Sequence, residues 1–215
     1  MDVDLAGLYD SRFLDVAGRQ RLWRVLVRDF FQRYVGGDET VLDMPCGFGG
    51  FINNVECGTK LALDLNPVAT NHVAWDVCLV RASSTAVPLR DGSVDVVFIS
   101  NFFEHLTRAD IVATISECHR ILRPSGRTLV LQPNIRFAAR DYWMFLDHIT
   151  PIDDRMLTEA FSLAGFAPTQ RIVRFLPFTA QSRIPQATIL VRAYLRMPWA
   201  WRVFGRQSFL VFTKR

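Results

Sequence analysis

Val41-Leu-Asp-Met-Pro-Cys-Gly-Phe-Gly-Gly50 carries an apolar pair into Asp43 and then a run of glycines, and Asp64 stands fifteen residues past Gly49 in Leu61-Ala-Leu-Asp-Leu-Asn-Pro67. Glycines let a tight turn bring backbone N–H groups against a ligand with no side chain in the way. A carboxylate at the end of the next apolar run can accept hydrogen bonds from two ribose hydroxyls. Together these residues could hold an adenosine-containing cofactor at the carboxyl edge of an α/β sheet. The glycine turn alone is a weak signal, because most such turns hold nothing; the acid after the following strand makes it specific. A dinucleotide fingerprint places a third glycine where Ile52 stands. The turn therefore suits a nucleoside without a diphosphate, and S-adenosylmethionine, with an amino acid in that place, fits better than NAD.

The elements that must position these residues follow from periodicity. An amphipathic helix is expected over about 18–34, where Leu22, Val25, Leu26 and Phe30 recur at helical spacing among Arg19, Arg24, Arg28 and Asp29. Strands are expected at 40–44, 60–64, 77–81, 94–100, 127–132, 169–176 and 207–213, the last two as a terminal antiparallel pair, and a helix at 153–164 closed by Gly165. Alternating strands and helices imply a mainly parallel sheet with helices on both faces. At 215 residues, half of them apolar and 21% charged, the chain suits one well-buried domain. Within it, 1–36 reads as a leading lid and helix, 37–176 as the core, 177–206 as an insertion able to cap an acceptor, and 207–215 as the last strand. A charge of +4 with arginines spread along the chain disfavours nucleic acid and suits an anionic small acceptor or a lipid-phosphate surface. Without a basic, apolar leader or a spanning segment the expectation is a cytoplasmic protein.

The segments 81–106 and His119-Arg-Ile-Leu-Arg-Pro-Ser-Gly-Arg-Thr-Leu-Val-Leu131, with the glycine turn, resemble class I S-adenosylmethionine-dependent methyltransferases over roughly residues 40–135. Gln132-Pro-Asn-Ile-Arg136, Tyr142-Trp143, Asp147-His148 and Phe175-Leu-Pro177 resemble a bacterial branch associated with glycan or natural-product biosynthesis. The resemblance implies a Rossmann-like class I methyltransferase fold with a seven-stranded sheet and an antiparallel last strand. It implies S-adenosylmethionine as cofactor and S-adenosylhomocysteine as product. The implied cofactor residues are Asp43 toward the amino group, Pro45, Cys46, Gly47 and Gly49 around the amino-acid part, Asp64 on the ribose, Leu65, Ser83 and Ser84 around the adenine, and Asn101 and Phe102 along the floor. Two positions depart from the family pattern. Pro45 lacks the N–H of the usual glycine, and Ser83 stands where an acid often meets the adenine amino group.

Such a protein chiefly aligns an acceptor and removes its proton. His105 and His148 are the candidate bases, with Asp147 or Glu104 to orient one of them; each histidine could equally satisfy local hydrogen bonds or cap a helix. His72 and His119 read as structural. Tyr142, Trp143, Asn134 and Arg136 are the candidate acceptor contacts, the aromatics balanced against plain core packing. Tyr9 and Arg12 could fold over the cofactor or simply pack. Arg192 and Arg196, among Ile189, Leu190, Tyr194 and Leu195, could meet an anionic or lipid-linked acceptor, with helix packing or a homodimer interface the blander explanation. Cys46, Cys57, Cys78 and Cys118 form no C-x-x-C pair, and along the chain no acids and histidines cluster as an open metal site, so no metal is expected. The leading function is O-methylation of a hydroxyl on a sugar, glycan intermediate or specialised metabolite. The alternatives are a cofactor-binding regulatory subunit without turnover and an NAD-dependent oxidoreductase, the latter opposed by the missing third glycine and Tyr-x-x-x-Lys pair.

Overall fold

The computed structural model describes residues 15–178 and 188–215. Tyr9, Arg12 and the early part of the 177–206 insertion lie outside the described residues.

The strands are β1 Thr40–Asp43, β2 Thr59–Asp64, β3 Cys78–Arg81, β4 Val94–Ser100, β5 Leu122–Pro133, β6 Phe166–Ile172 and β7 Gln207–Lys214. They form one seven-stranded sheet in the order β3-β2-β1-β4-β5-β7-β6. β1 to β5 pair in parallel, and β7 runs antiparallel to both β5 and β6, as the sequence implies. The expected sixth strand stops short of Leu176. The chain leaves the ladder there, and Phe175 turns inward to full burial.

Central β4 shows why the sheet is covered twice. Val96 and Phe98 face one apolar layer while Val97 and Ile99 face the other, so a nearly continuous hydrophobic run needs helices on both sides. One layer is closed by α1 Val16–Asp29, α5 Thr188–Leu195 and α6 Pro198–Phe204, which bring Val25, Leu26, Leu195 and Trp201 against the sheet. The other is closed by α2 Arg108–Ile121 and α4 Asp154–Leu163, through Ile111, Ile115, Leu157 and Phe161. A short helix, α3 Ile135–Tyr142, follows β5.

The leading helix ends at Asp29, and a 3₁₀ turn covers Phe31–Tyr34. Phe30 and Phe31 are both fully buried, and consecutive residues cannot share one α-helical face, so the backbone changes pitch to seat both rings. α4 matches its expected position, with Asp153 accepting from the Arg155 and Met156 amides as N-cap. In the insertion, Arg192 pairs with Asp29 of α1 at 3.3 Å and the Trp201 indole donates to the Tyr194 carbonyl. Those contacts favour helix packing for that arginine. Ile189, Leu190, Trp199 and Phe204 remain exposed. No described helix is long and apolar enough to cross a membrane.

Candidate functional site

From β1 the chain winds outward through β2 and β3, then returns to the opposite side of β1 as β4. This reversal opens a crevice at the carboxyl ends of β1 and β4, where ligands of open α/β sheets bind. Asp43 closes β1 and Asn101 follows β4. The glycine turn starts between them.

Gly47 and Gly49 adopt φ values of +50° and +67°, the left-handed region in which a side chain is strained. The turn is held from both strands: Cys46 N–H donates to the Leu63 carbonyl, Gly49 N–H to the Cys46 carbonyl, and Gly47 N–H to the Asp64 carboxylate at 2.8 Å. The other Asp64 oxygen accepts from Asn66 N–H, also at 2.8 Å. The two features singled out in the sequence are therefore joined by a hydrogen bond. Below the turn, buried Asp43 accepts from Ile52 N–H, so it anchors the bend from beneath. Gly50 packs under Trp23 so closely that an added Cβ would lie 2.5 Å from the indole. No comparable contact stands over Gly47, where a Cβ would meet nothing within 4 Å. Bare backbone faces open space beside a carboxylate.

Electrostatics agree with a site awaiting donors. Burial raises the pKa of Asp64 above the usual carboxylate value, while the amides of Asn66, Gly47 and Leu65 work against that rise. Burial raises Asp43 much further; the Ile52 amide opposes this and the neighbouring Asp64 charge adds to it.

A cavity of about 260 Å³ adjoins the turn, lined by Pro45, Leu65, Ser83, Ser84 and Phe102 among others. Five of the residues expected at the cofactor thus share one wall with Asp64. Ser83 bonds to Thr85 and Ser84 to Thr114. Asn101 has φ +48° and a buried Oδ1 with no hydrogen-bond partner. Asp110 also lines the cavity, and sequence reasoning missed it. In the sequence it sits three residues after Thr107, and the two side chains do bond as a helix start, which made a purely local role sufficient. The cavity, open backbone and acid fit a nucleoside bearing an amino acid.

Past Phe102 a 3₁₀ turn, Phe103–His105, carries the acceptor-side candidates. His105 Nδ1 lies 3.2 Å from an Asp147 carboxylate oxygen and 3.1 Å from the Asp147 carbonyl. Both are acceptors, so the neutral ring holds its proton on Nδ1 and carries a lone pair at Nε2. That Nε2 is 3.9 Å from Glu104 Oε1, and His148 Nε2 is 4.0 Å from the same oxygen. Burial works to lower the His105 pKa, but the bond to Asp147 and the charges of Glu104 and Asp147 outweigh it and the net shift is upward. Burial raises Glu104, opposed by His105 and Gln132.

His148 arrives on a loop pinned at several points: Ile149 and Thr150 amides donate to the Glu104 carbonyl, Tyr142 hydroxyl donates to the Thr150 carbonyl, and Ile152 N–H donates to that hydroxyl. Tyr142 is fully buried. Its hydroxyl is committed to holding this loop, while Trp143 beside it is exposed. Asn134 caps α3 and bonds to Asp154 and Ser208, and Arg136 pairs with Asp154. These two polar side chains brace α3, α4 and β7 together. The chain showed no cluster of acids and histidines, yet the fold builds one: Glu104, His105 and His148 place ligand atoms within 4.8 Å of one another. That corrects the sequence reading, which could not see a loop 43 residues downstream returning to the same turn.

Residues 42–130 match the family model described as a methyltransferase domain. A probable S-adenosylmethionine-dependent methyltransferase of Mycolicibacterium smegmatis is 33% identical over 68% of this chain and 58% of its own length. Residues 42–130 therefore carry a methyltransferase domain, and the chain is similar to S-adenosylmethionine-dependent methyltransferases. A demethylmenaquinone methyltransferase of Beutenbergia cavernae is 30% identical over 60% of the chain and 58% of its own length. The chain thus spans little more than half of these curated relatives. Among solved structures, a SAM-dependent methyltransferase from Archaeoglobus fulgidus superposes with a TM-score of 0.70 over 99% of this chain and 100% of its own, at 20% identity, a likeness of fold. The cofactor of such methyltransferases is S-adenosylmethionine, in agreement with the expectation drawn from the glycine turn.

Proposed function

We propose that this chain methylates a hydroxyl of a sugar, glycan intermediate or specialised metabolite. The observation that carries the donor half is the Gly47 N–H bond to Asp64 beneath open space. In this reading the exposed backbone from Cys46 to Gly49 receives the amino-acid part, and Asp64 accepts from the ribose hydroxyls through the lone pairs its two amides leave. Leu65, Ser83 and Ser84 bound the adenine. Asp110 supplies on the same wall the acid that Ser83 lacks. Asn101 Oδ1 and Phe102 form the floor. The bound donor supplies a methyl carbon already activated by a sulfonium.

Glu104, His105, Asp147 and His148 serve the acceptor half. Asp147 fixes the His105 tautomer, and the Nε2 lone pair, 3.9 Å from buried Glu104, makes this the electron-rich corner toward which an acceptor hydroxyl gives up its proton. Leu106, the next residue, lines the cofactor cavity, which keeps the two halves adjacent. Relatives named for menaquinone methylation favour a second reading, in which the same corner polarises the oxygen of a phenolic or enolic ring and carbon receives the methyl group.

Titration calorimetry with S-adenosylhomocysteine and with NADH tests the donor half, and transfer of labelled methyl to a panel of hydroxylated acceptors tests the rest. Binding of the former alone, with label reaching oxygen, is the expected result. Preference for NADH would reject the reading, and donor binding with no transfer to any acceptor would leave a regulatory subunit in its place.

A further inference from the structure

We propose that Glu104, His105 and His148 together bind one divalent first-row cation, through Glu104 Oε1 and the Nε2 atoms of both histidines. Two imidazoles and one carboxylate are a donor set for Zn²⁺, Co²⁺, Mn²⁺ or Fe²⁺, and an unsuitable one for Mg²⁺ or Ca²⁺, which take oxygen ligands. The three ligand atoms lie within 4.8 Å of one another, with each Nε2 to Oε1 separation at 3.9 or 4.0 Å. Ligands about 2.0–2.1 Å from a tetrahedral ion stand roughly 3.3 Å apart, so closure needs well under an ångström from each side chain.

Three further features point to a cation. The first is orientation. Asp147 accepts from His105 Nδ1–H, which turns the Nε2 lone pair toward Glu104; a carboxylate behind a ligating histidine is the usual outer partner of a metal site. Gln132 Nε2 donates to Glu104 Oε2 in the same way and leaves Oε1 facing the rings. The second is charge. Glu104 is 1% exposed, and among the described residues no Lys or Arg pairs with it, only the two imidazoles at 3.9 and 4.0 Å; a cation held between the three groups would offset the cost of burying its charge. The third is rigidity. The His148 loop is tied to Glu104 by the Ile149 and Thr150 amides and to Leu106 by the Thr150 hydroxyl. Three protein ligands leave coordination positions open, the pattern of catalytic rather than structural sites. A cation there would occupy the His105 Nε2 lone pair and, in place of direct proton transfer to that nitrogen, would take the acceptor oxygen and lower its pKa. The binding itself stands apart from methyl transfer; only this use of the ion rests on the function proposed above.

The test is titration of the full chain, stripped with a chelator, with Co²⁺ followed by its visible d–d bands, and competition by Zn²⁺. One equivalent is expected, without the thiolate charge-transfer band that cysteine ligation produces. Glu104→Gln and His148→Ala should each weaken binding at least tenfold, and Asp147→Asn, acting through His105, by about 10- to 100-fold. Cys57→Ser and Cys78→Ser should leave it unchanged. Calorimetry of S-adenosylhomocysteine on the same samples reports whether each variant is folded and keeps the donor site. Absence of stoichiometric binding, a thiolate band, or equal affinity in Glu104→Gln would overturn the metal site while leaving donor binding intact.

Discussion

Replacing Asp64 with alanine probes the joint between the glycine turn and the nucleoside. Its carboxylate accepts from Gly47 and Asn66 amides, both at 2.8 Å, one on each oxygen. Each oxygen keeps a second lone pair, so two ribose hydroxyls can be received at once. Hydrogen bonds to a charged group contribute about 1.5–3 kcal/mol each. Water can replace part of that in a site open on one side, so a loss of at least about 2 kcal/mol is expected, close to 30-fold in Kd. The Gly47 amide borders the open space above the turn and can be hydrated once the carboxylate is gone, so folding stability should fall by only about 1 kcal/mol. Asp64→Asn keeps the shape but can accept through one atom only and should lie between. Calorimetry with S-adenosylhomocysteine and urea denaturation of the same samples separate the two effects. A Kd within about twofold of the wild type would refute the assignment of β2 as the ribose-binding strand.

Gly50→Ala should destabilise the fold by about 1–3 kcal/mol, because the new methyl would press on the Trp23 ring, read as a lower urea midpoint. Tyr142→Phe removes the acceptor of the Ile152 amide and the donor to the Thr150 carbonyl; about 1–3 kcal/mol of stability should be lost, and hydrogen exchange should quicken in the loop carrying His148. Phe161→Ala empties one side of a parallel stack with Phe212 at 4.0 Å between two fully buried rings, for about 3–5 kcal/mol in the same denaturation. Burial, with the Asp43 and Asp64 charges adding to it, drives the Cys46 thiol far above its usual pKa. Since only the thiolate alkylates, Cys46 should stay unmodified by iodoacetamide at pH 8 while exposed Cys78 reacts, as peptide mass mapping would show; labelling of Cys46 at a similar rate would contradict its burial.

Much of this was legible in the chain because the signals were local. Strand ends could be read from apolar runs closing on Asp43, Asp64 and Ser100, and the α4 boundary from Asp153 and Gly165. The left-handed turn followed from Gly47 and Gly49 themselves. What escaped was set by tertiary packing. The α1 to 3₁₀ switch depends on two adjacent phenylalanines finding separate seats. Asp110 lines a cavity only because α2 begins beside β3's exit. Asn134 and Arg136 looked available for a substrate, and the bonds both make to Asp154, eighteen residues past Arg136, could not be read from spacing. The Glu104–His105–His148 cluster joins residues that no spacing rule connects, since the loop that delivers His148 is folded back by Tyr142 and by the Glu104 carbonyl.

The most direct test of the central claim is a crystal structure of the protein with S-adenosylhomocysteine. The ribose should hydrogen-bond to Asp64, with the amino-acid end over Gly47 and the adenine against Leu65 and Ser83. A ligand seated instead in the separate cavity between Phe137, Arg174 and Trp201, with the glycine turn untouched, would contradict it.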